Sequence, residues 1–312
     1  MADTLRTGAK PFTPEQIREM SSAKVRKRTA GEYIERGLFW LLVAGIIGYT
    51  IFPFYYAILS SLTPSNDLFA TPAVYWPTSL TWTHYRTVLS DDIFLYGLRN
   101  SVIVSFGSVA LALIIGSFAA YGLGRFKFRG KTPILYIILS MTMFPAVAIL
   151  GSLFRMIRGD WFLHTPNVFN SWWALIFTYL TFSLPFTIWV LTNFFKAMPR
   201  ELEEAALVDG AGRFRTFWQI LLPLAAPGIV TTGLLAFIGA WNEFLFALTF
   251  TQDESARTVV VVISQYAGNS QFELPFAKRM AAAVLVTLPL IVLVLIFQRK
   301  IIAGLTAGAV KG

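Results

Sequence analysis

Glu243 is the one acid that falls inside a long apolar run, next to Trp241 and Asn242. A carboxylate at membrane depth is expensive to hold there, and it usually faces a cavity, a pathway or a polar neighbour. Two kinds of use fit this trio: lining a translocation pathway, or a plain structural place, facing water or bonding a neighbouring helix. Gly124-Arg-Phe-Lys-Phe-Arg-Gly-Lys-Thr132 has the outline of a phosphate-binding loop, but its glycines enclose five residues. The phosphate loop needs four, after a strand, with backbone free to wrap the phosphate. Bulky and basic residues fill this one, so it reads as a topology signal. His84 and His164 sit in separate segments, Gly107-Ser108 and Gly151-Ser152 lack the setting of a serine nucleophile, and cysteine is absent. No set of catalytic, cofactor-binding or metal-ligating residues can be assembled.

The elements that carry these residues are set by hydropathy. Of the 312 residues, 55% are hydrophobic and 14% charged, against roughly 25% charged in soluble domains. A bilayer core about 30 Å thick takes roughly 20 apolar helical residues, because backbone amides must be satisfied within the segment. Six stretches qualify, near 37–59, 101–123, 132–150, 172–195, 225–248 and 280–298. An all-α integral membrane fold with six transmembrane helices follows. The first run is too long for a signal-peptide core and lacks a cleavage site, so it is expected to stay as an anchor.

Charge orients the spans. The arm over 1–36, the segment after the second span, the segment after the fourth and the tail over 299–312 together hold 19 of the 26 basic residues. The other side holds seven, which puts both termini in the cytoplasm. Basic residues spread in this way mark topology and exclude a nucleic-acid surface. Thr13-Pro14-Glu15-Gln16 reads as a helix start in the arm, either a solvated basic face or a weak hold on anionic membrane lipid. Trp161, Trp172 and Trp173 fall near the outer interface and Trp40 near the inner one. Pro145 and Pro185 are expected to kink the third and fourth spans.

The segment 196–224 is more than a connector. Pro199 opens a helix with Glu201, Glu203 and Glu204 near its start, where the dipole favours acids. Asp209-Gly210 closes it, since glycine accepts the left-handed conformation. A second short helix, from Arg213 to about Leu222, carries Phe214, Phe217 and Trp218 before Pro223. Glu204, Ala205, Ala206, Gly210, Ile220, Leu222 and Pro223 stand at the spacing E-A-A, three residues, G, nine residues, I, one residue, L-P. In this pattern the chain resembles the transmembrane subunits of ATP-binding-cassette importers of bacteria and archaea. Ala236-Phe-Ile-Gly-Ala-Trp-Asn-Glu-Phe-Leu-Phe-Ala247 and the ending Gly304 to Gly312 are similar to the carbohydrate-uptake branch, in particular the shorter maltose-type permease subunit. The likeness covers about 37–312, less so the arm.

The resemblance implies the type I importer transmembrane-domain fold in a prokaryotic inner membrane, with 37–312 as the permease domain. It implies a second permease chain, two ATPase subunits that bind ATP and Mg, and a solute-binding protein outside. Through Glu204, Ala205, Ala206, Asp209, Gly210, Ile220, Leu222 and Pro223 the loop would dock in an ATPase cleft, small alanines allowing close approach. The external segment 252–278 would meet the binding protein or serve as a connector. Sugars, oligosaccharides, polyols and glycerol phosphates are all open as solutes. An ion-coupled secondary transporter is the alternative, but it needs several intramembrane ionisable groups and paired repeats. A membrane enzyme lacks its residues, and a channel leaves the cytoplasmic motif without a purpose.

Overall fold

A computed structural model describes residues 13, 30–68, 75–76, 79–160, 166–267 and 275–309, and all regular structure among them is helical. The chain divides into two compact units, Met1–Tyr55 and Tyr56–Gly312. The described part of the first is Thr13 and a helix, the beginning of α1 (Ala30–Leu62). Apart from Thr13, the expected helix start at Thr13–Gln16 lies outside the described residues, as do Trp161 and His164.

The second unit continues with α2 (Thr83–Leu89), α3 (Asp92–Arg125), α4 (Lys131–Ser140), α5 (Ala146–Ile157) and α6 (Trp172–Ala197). After these come α7 (Glu201–Val208), α8 (Arg213–Leu224), α9 (Ala226–Asn242), α10 (Leu245–Phe250), α11 (Val259–Ser264) and α12 (Phe276–Ala309). Among the described residues, four helices are long and apolar enough to cross a membrane: α1 over Tyr33–Leu62, α3, α6, and α12 over Phe276–Gln298. Two bent pairs raise the number to six: Lys131–Met143 with α5, turned by 99°, and α8 with α9, turned by 73°.

Two expected spans are therefore broken. The third does not run unbroken over 132–150, because Pro145 fixes its own φ at −66° and holds Phe144 extended at ψ 128°. What was expected as a kink is a corner. The fifth, expected over 225–248, is helical only to Asn242, and Glu243 is extended at φ −68° and ψ 130° before α10 resumes. α6 runs through Pro185 as one helix. α12 continues to Ala309 through most of the expected tail.

The frame of the second unit is the pair α3 and α6, packed along most of their length. Small and hydroxyl side chains let them approach, with Ser101, Ser105, Ser108, Ser117, Thr178 and Thr187 buried between helices. A methyl group at Gly116 would stand 2.7 Å from Thr187 Cγ2, and one at Gly124 would stand 2.9 Å from Phe195 Cβ. Around the pair lie three large apolar clusters. One joins Val104, Leu175, Tyr179, Phe246 and Phe250; another joins Phe94, Phe237, Trp241, Val259 and Val286; a third joins Tyr121, Leu191, Phe195, Phe217 and Leu221.

At the end carrying Asn100, polar bonds tie the loop after α10 to this frame. Asn100 Nδ2 donates to Glu254 O (2.8 Å) and Arg257 O (3.0 Å), while its Oδ1 accepts from Trp172 Nε1 (3.0 Å). Asn170, at φ 55°, accepts at Oδ1 from Gln252 N (2.7 Å) and donates to Asp253 Oδ2 (2.7 Å). The Ser255 hydroxyl and amide, then Asn170, hold the Asp253 carboxyl below its ordinary range.

The close approach at Gly116 sets a measurable requirement. Gly116→Val should destabilise the purified protein by about 1–3 kcal/mol through overpacking against Thr187. Gly151, whose Cβ would meet nothing within 4 Å, supplies the control as Gly151→Ala. Thermal inactivation in detergent should advance for the first variant only, and equal inactivation of both would contradict the packing.

Candidate functional site

The segment after α6 is built as a helical corner. Met198 is extended, as a residue before proline must be, and α7 begins two residues after Pro199 with Glu201, Glu203 and Glu204 in its first turn. Its end is a Schellman turn: Ala211 N donates to Ala206 O (2.8 Å), Gly210 N to Leu207 O (3.1 Å), and Gly210 has φ 79°. A Cβ at Gly210 would meet nothing, so only the backbone conformation asks for glycine there. α8 then runs to Leu224, two residues beyond the expected end, with π winding over Phe217–Leu221. Phe217, 1% exposed, anchors it against Tyr121 (ring centroids 4.9 Å), Phe118 (5.1 Å) and Phe195 (6.1 Å).

Arg125, the last residue of α3, holds the corner together. Its Nε donates to Glu203 Oε2 (2.8 Å), one terminal nitrogen to Phe195 O (3.1 Å) and Met198 O (2.8 Å), and the other to Pro199 O (3.2 Å). The guanidinium thus takes up carbonyls left free where α6 ends and fixes the first turn of α7 by charge. Tyr121 adds a longer bond to Glu203 Oε1 (3.4 Å). Both partners are sheltered, Arg125 at 4% side-chain exposure and Glu203 at 23%. Sequence reasoning counted Arg125 only as a topology signal, one of the four basic residues from Arg125 to Lys131.

The motif residues divide by exposure. Glu204, Ala205, Asp209, Gly210 and Pro223 are exposed, Ile220 and Leu222 are half-buried, and Ala206 is buried against its own chain. The small size of Ala206 thus serves internal packing. Leu207, Val208, Phe214, Trp218 and Leu224 leave apolar surface uncovered around them. A notch of about 210 Å³ opens here, with Arg200, Glu204, Leu207 and Arg213 along it and Arg125 and Glu203 at its back.

A second cavity, of about 360 Å³, lies where both broken helices meet α6, reaching Ala146 just after one break and Glu243 at the other. Trp241, Asn242 and Glu243 face different surroundings. Trp241 is 1% exposed, donates to Val286 O (3.2 Å) and stacks on Phe237 (5.4 Å). Asn242 is exposed and donates back to Ile238 O (2.9 Å). Glu243 alone of the three lines the cavity. Its Oε1 accepts from Phe246 N (2.9 Å), and its Oε2 accepts from Ala247 N (3.0 Å) and Tyr179 OH (2.8 Å). The carboxylate thus caps α10 while remaining at the cavity wall. Tyr179 and the cap were not anticipated; an acid three residues before Phe246 is the signal for the cap.

Comparison with known proteins gives a consistent result. The family described as binding-protein-dependent transport system inner membrane component matches residues 112–306. A trehalose transport system permease protein of Mycobacterium tuberculosis is 38% identical over 89% of this chain and 98% of its own length. A trehalose/maltose transport system permease protein of Thermococcus litoralis is 39% identical over 87% of this chain and 96% of its own. The solved structure of a bacterial ABC transporter for alginate import superposes with a TM-score of 0.75 at 20% identity, covering 87% of this chain and 98% of that one.

Arg125→Ala should take the donor from three carbonyls and leave Glu203 only the longer Tyr121 bond, a loss of about 3–5 kcal/mol for a fully buried pair and less here. Trypsin should then cut after the exposed Arg200 and Arg213 at least about tenfold faster than in the unsubstituted chain. An unchanged cleavage rate would show that the corner does not depend on Arg125.

Proposed function

The chain belongs to the binding-protein-dependent transport system inner membrane component family, as one of its carbohydrate-uptake permease subunits, and we propose that it forms half of a sugar pathway driven by a separate ATPase. The observation that carries the coupling is the exposed motif on a corner braced by Arg125. An ATPase seated over Glu204, Ala205 and the Gly210 turn, with apolar Leu207 and Val208 beside them, pushes on a segment that cannot flex freely. The notch between Arg200 and Arg213 offers further charge to the docked surface. Asp209, Ile220, Leu222 and Pro223 complete that docking surface, Asp209 and Pro223 exposed and Ile220 and Leu222 half-buried.

The excess of basic residues on one side supports a cytoplasmic position for the corner and for both termini. The fifth crossing is placed on α9 and α10, which leaves α8 in the coupling loop 196–224, with 37–312 as the permease domain and the bent pair Lys131–Met143 with α5 as the third crossing. The assembly takes a second permease chain, two ATPase subunits that hold ATP and Mg, and a solute-binding protein at the opposite side. ATP hydrolysis then falls to the separate ATPase subunits. Relatives named for trehalose and maltose favour a neutral sugar as the solute.

Affinity purification from the native membrane tests this. The unsubstituted chain should bring down a second permease and an ATPase. Gly210→Val, which strains a left-handed backbone by about 1–2 kcal/mol, and Glu204→Lys should each reduce the recovered ATPase while keeping the second permease. Recovery of this chain alone, with uptake that collapses when the ion gradient is removed, would instead establish a secondary transporter.

A further inference from the structure

The wall of the 360 Å³ cavity combines one fixed carboxylate with hydroxyl groups and aromatic faces. Such a volume falls within the roughly 300–1,000 Å³ of small-molecule sites. Glu243 has its carboxylate oriented by three donors, the amides of Phe246 and Ala247 and the Tyr179 hydroxyl. An ionised carboxylate has about four acceptor positions, so about one, on Oε1, is left for a ligand. The Tyr179 oxygen keeps its own acceptor capacity, and Ser183, bonded only to Tyr179 O (2.9 Å), can accept as well. Phe182 and Phe186 supply the apolar flanks.

We propose that this chain itself holds a hydroxylated sugar ring, with Glu243 Oε1 accepting a sugar hydroxyl and Phe182 or Phe186 covering the C–H face. The proposal rests on the sugar-importer reading above and adds the place where this subunit meets its solute. The chemistry favours a neutral polyol over a metal ion: no group of three or more His, Cys, Asp or Glu able to hold a metal occurs among the described residues. A hydrocarbon tail gains nothing from the carboxylate. Depth agrees with the assignment, since Tyr179, Phe182, Ser183 and Phe186 occupy the middle of α6. Discontinuous helices at mid-depth are where transporters build solute sites, because irregular backbone in a membrane must line a cavity or be covered by protein.

The absence of cysteine from this chain allows a direct test. Gly239 borders the cavity, and a Cβ there meets nothing within 4 Å, so Gly239→Cys places a thiol at the wall without displacing neighbours. The full complex, reconstituted with its binding protein, is treated with a small maleimide in the presence and absence of labelled glucose, maltose, trehalose and sucrose. A sugar that the complex takes up should slow alkylation of the thiol by about three- to tenfold, the range of one or two hydrogen bonds. That protection should weaken when Gly239→Cys is combined with Glu243→Gln, and again with Phe186→Ala, which leaves the α10 cap in place.

Uptake of a sugar without protection, or protection that survives both added substitutions, overturns the subsite and leaves the importer standing. A thiol that never reacts overturns it as well, because protein then fills the cavity. A complex that assembles and hydrolyses ATP but takes up none of these sugars removes the solute class on which the subsite depends.

Discussion

The guanidinium of Arg125 sits at the point where three parts of the chain meet, and their arrangement follows from its five N–H groups. A helix that stops inside a packed end leaves carbonyls without partners, and a charged side chain in the same place lacks solvent. Each problem resolves the other here: the end of α6 supplies Phe195, Met198 and Pro199 carbonyls, and α7 supplies the Glu203 carboxylate. Lysine has no planar fork with which to meet a carboxylate and several carbonyls together. Because Glu203 is thereby fixed, so is the face that Glu204 and Ala205 present. Phe217, wedged against Tyr121 and Phe195, fixes the second helix of the corner to the same two spans.

From that corner the α3 and α6 pair leads into the membrane. Ser108 lies 17 residues before Arg125 on α3, roughly 26 Å along a straight helix. At that depth the pair forms one side of the cavity, through Ser108 and Tyr179. At the far end Asn100 and Trp172 bind each other and hold the loop after α10. Glycines and hydroxyl residues keep the two helices too close to slide easily, so under the proposed coupling a push at Arg125 would move them as a body. A switch of this kind needs rigid elements with discrete arrangements. The helices beside the pair are interrupted at Pro145 and Glu243.

Much of this was legible beforehand, and the exceptions share a cause. Long apolar runs announce spans because the signal accumulates over some twenty residues, and α3, α6 and α12 contain the runs read from the sequence. The same averaging hides a corner a few residues wide, so Pro145 read as a kink although it turns the chain by 99°. The turn at Gly210 was readable because its chemistry is local. Arg125 and Glu203 were not, being 78 positions apart with nothing in either neighbourhood to name the other. Glu243 was singled out as an intramembrane acid, but placing it inside a helix concealed the cap it provides to α10. Trp241 was grouped with it by adjacency, and the fold turns Trp241 into the core instead.

The central claim is that the corner and the α3 and α6 pair move as one body. It is tested most directly by the distance between spin labels at Val208→Cys on α7 and Ile114→Cys on α3, both exposed positions in an otherwise cysteine-free chain. Measured by double electron-electron resonance in the assembled complex, that distance should stay within about 2 Å between nucleotide-free and ATP-bound states, and broaden when Arg125→Ala is added. A shift of about 5 Å or more, a full helical turn, in the unsubstituted corner would contradict the account, because α7 would then swing on its own.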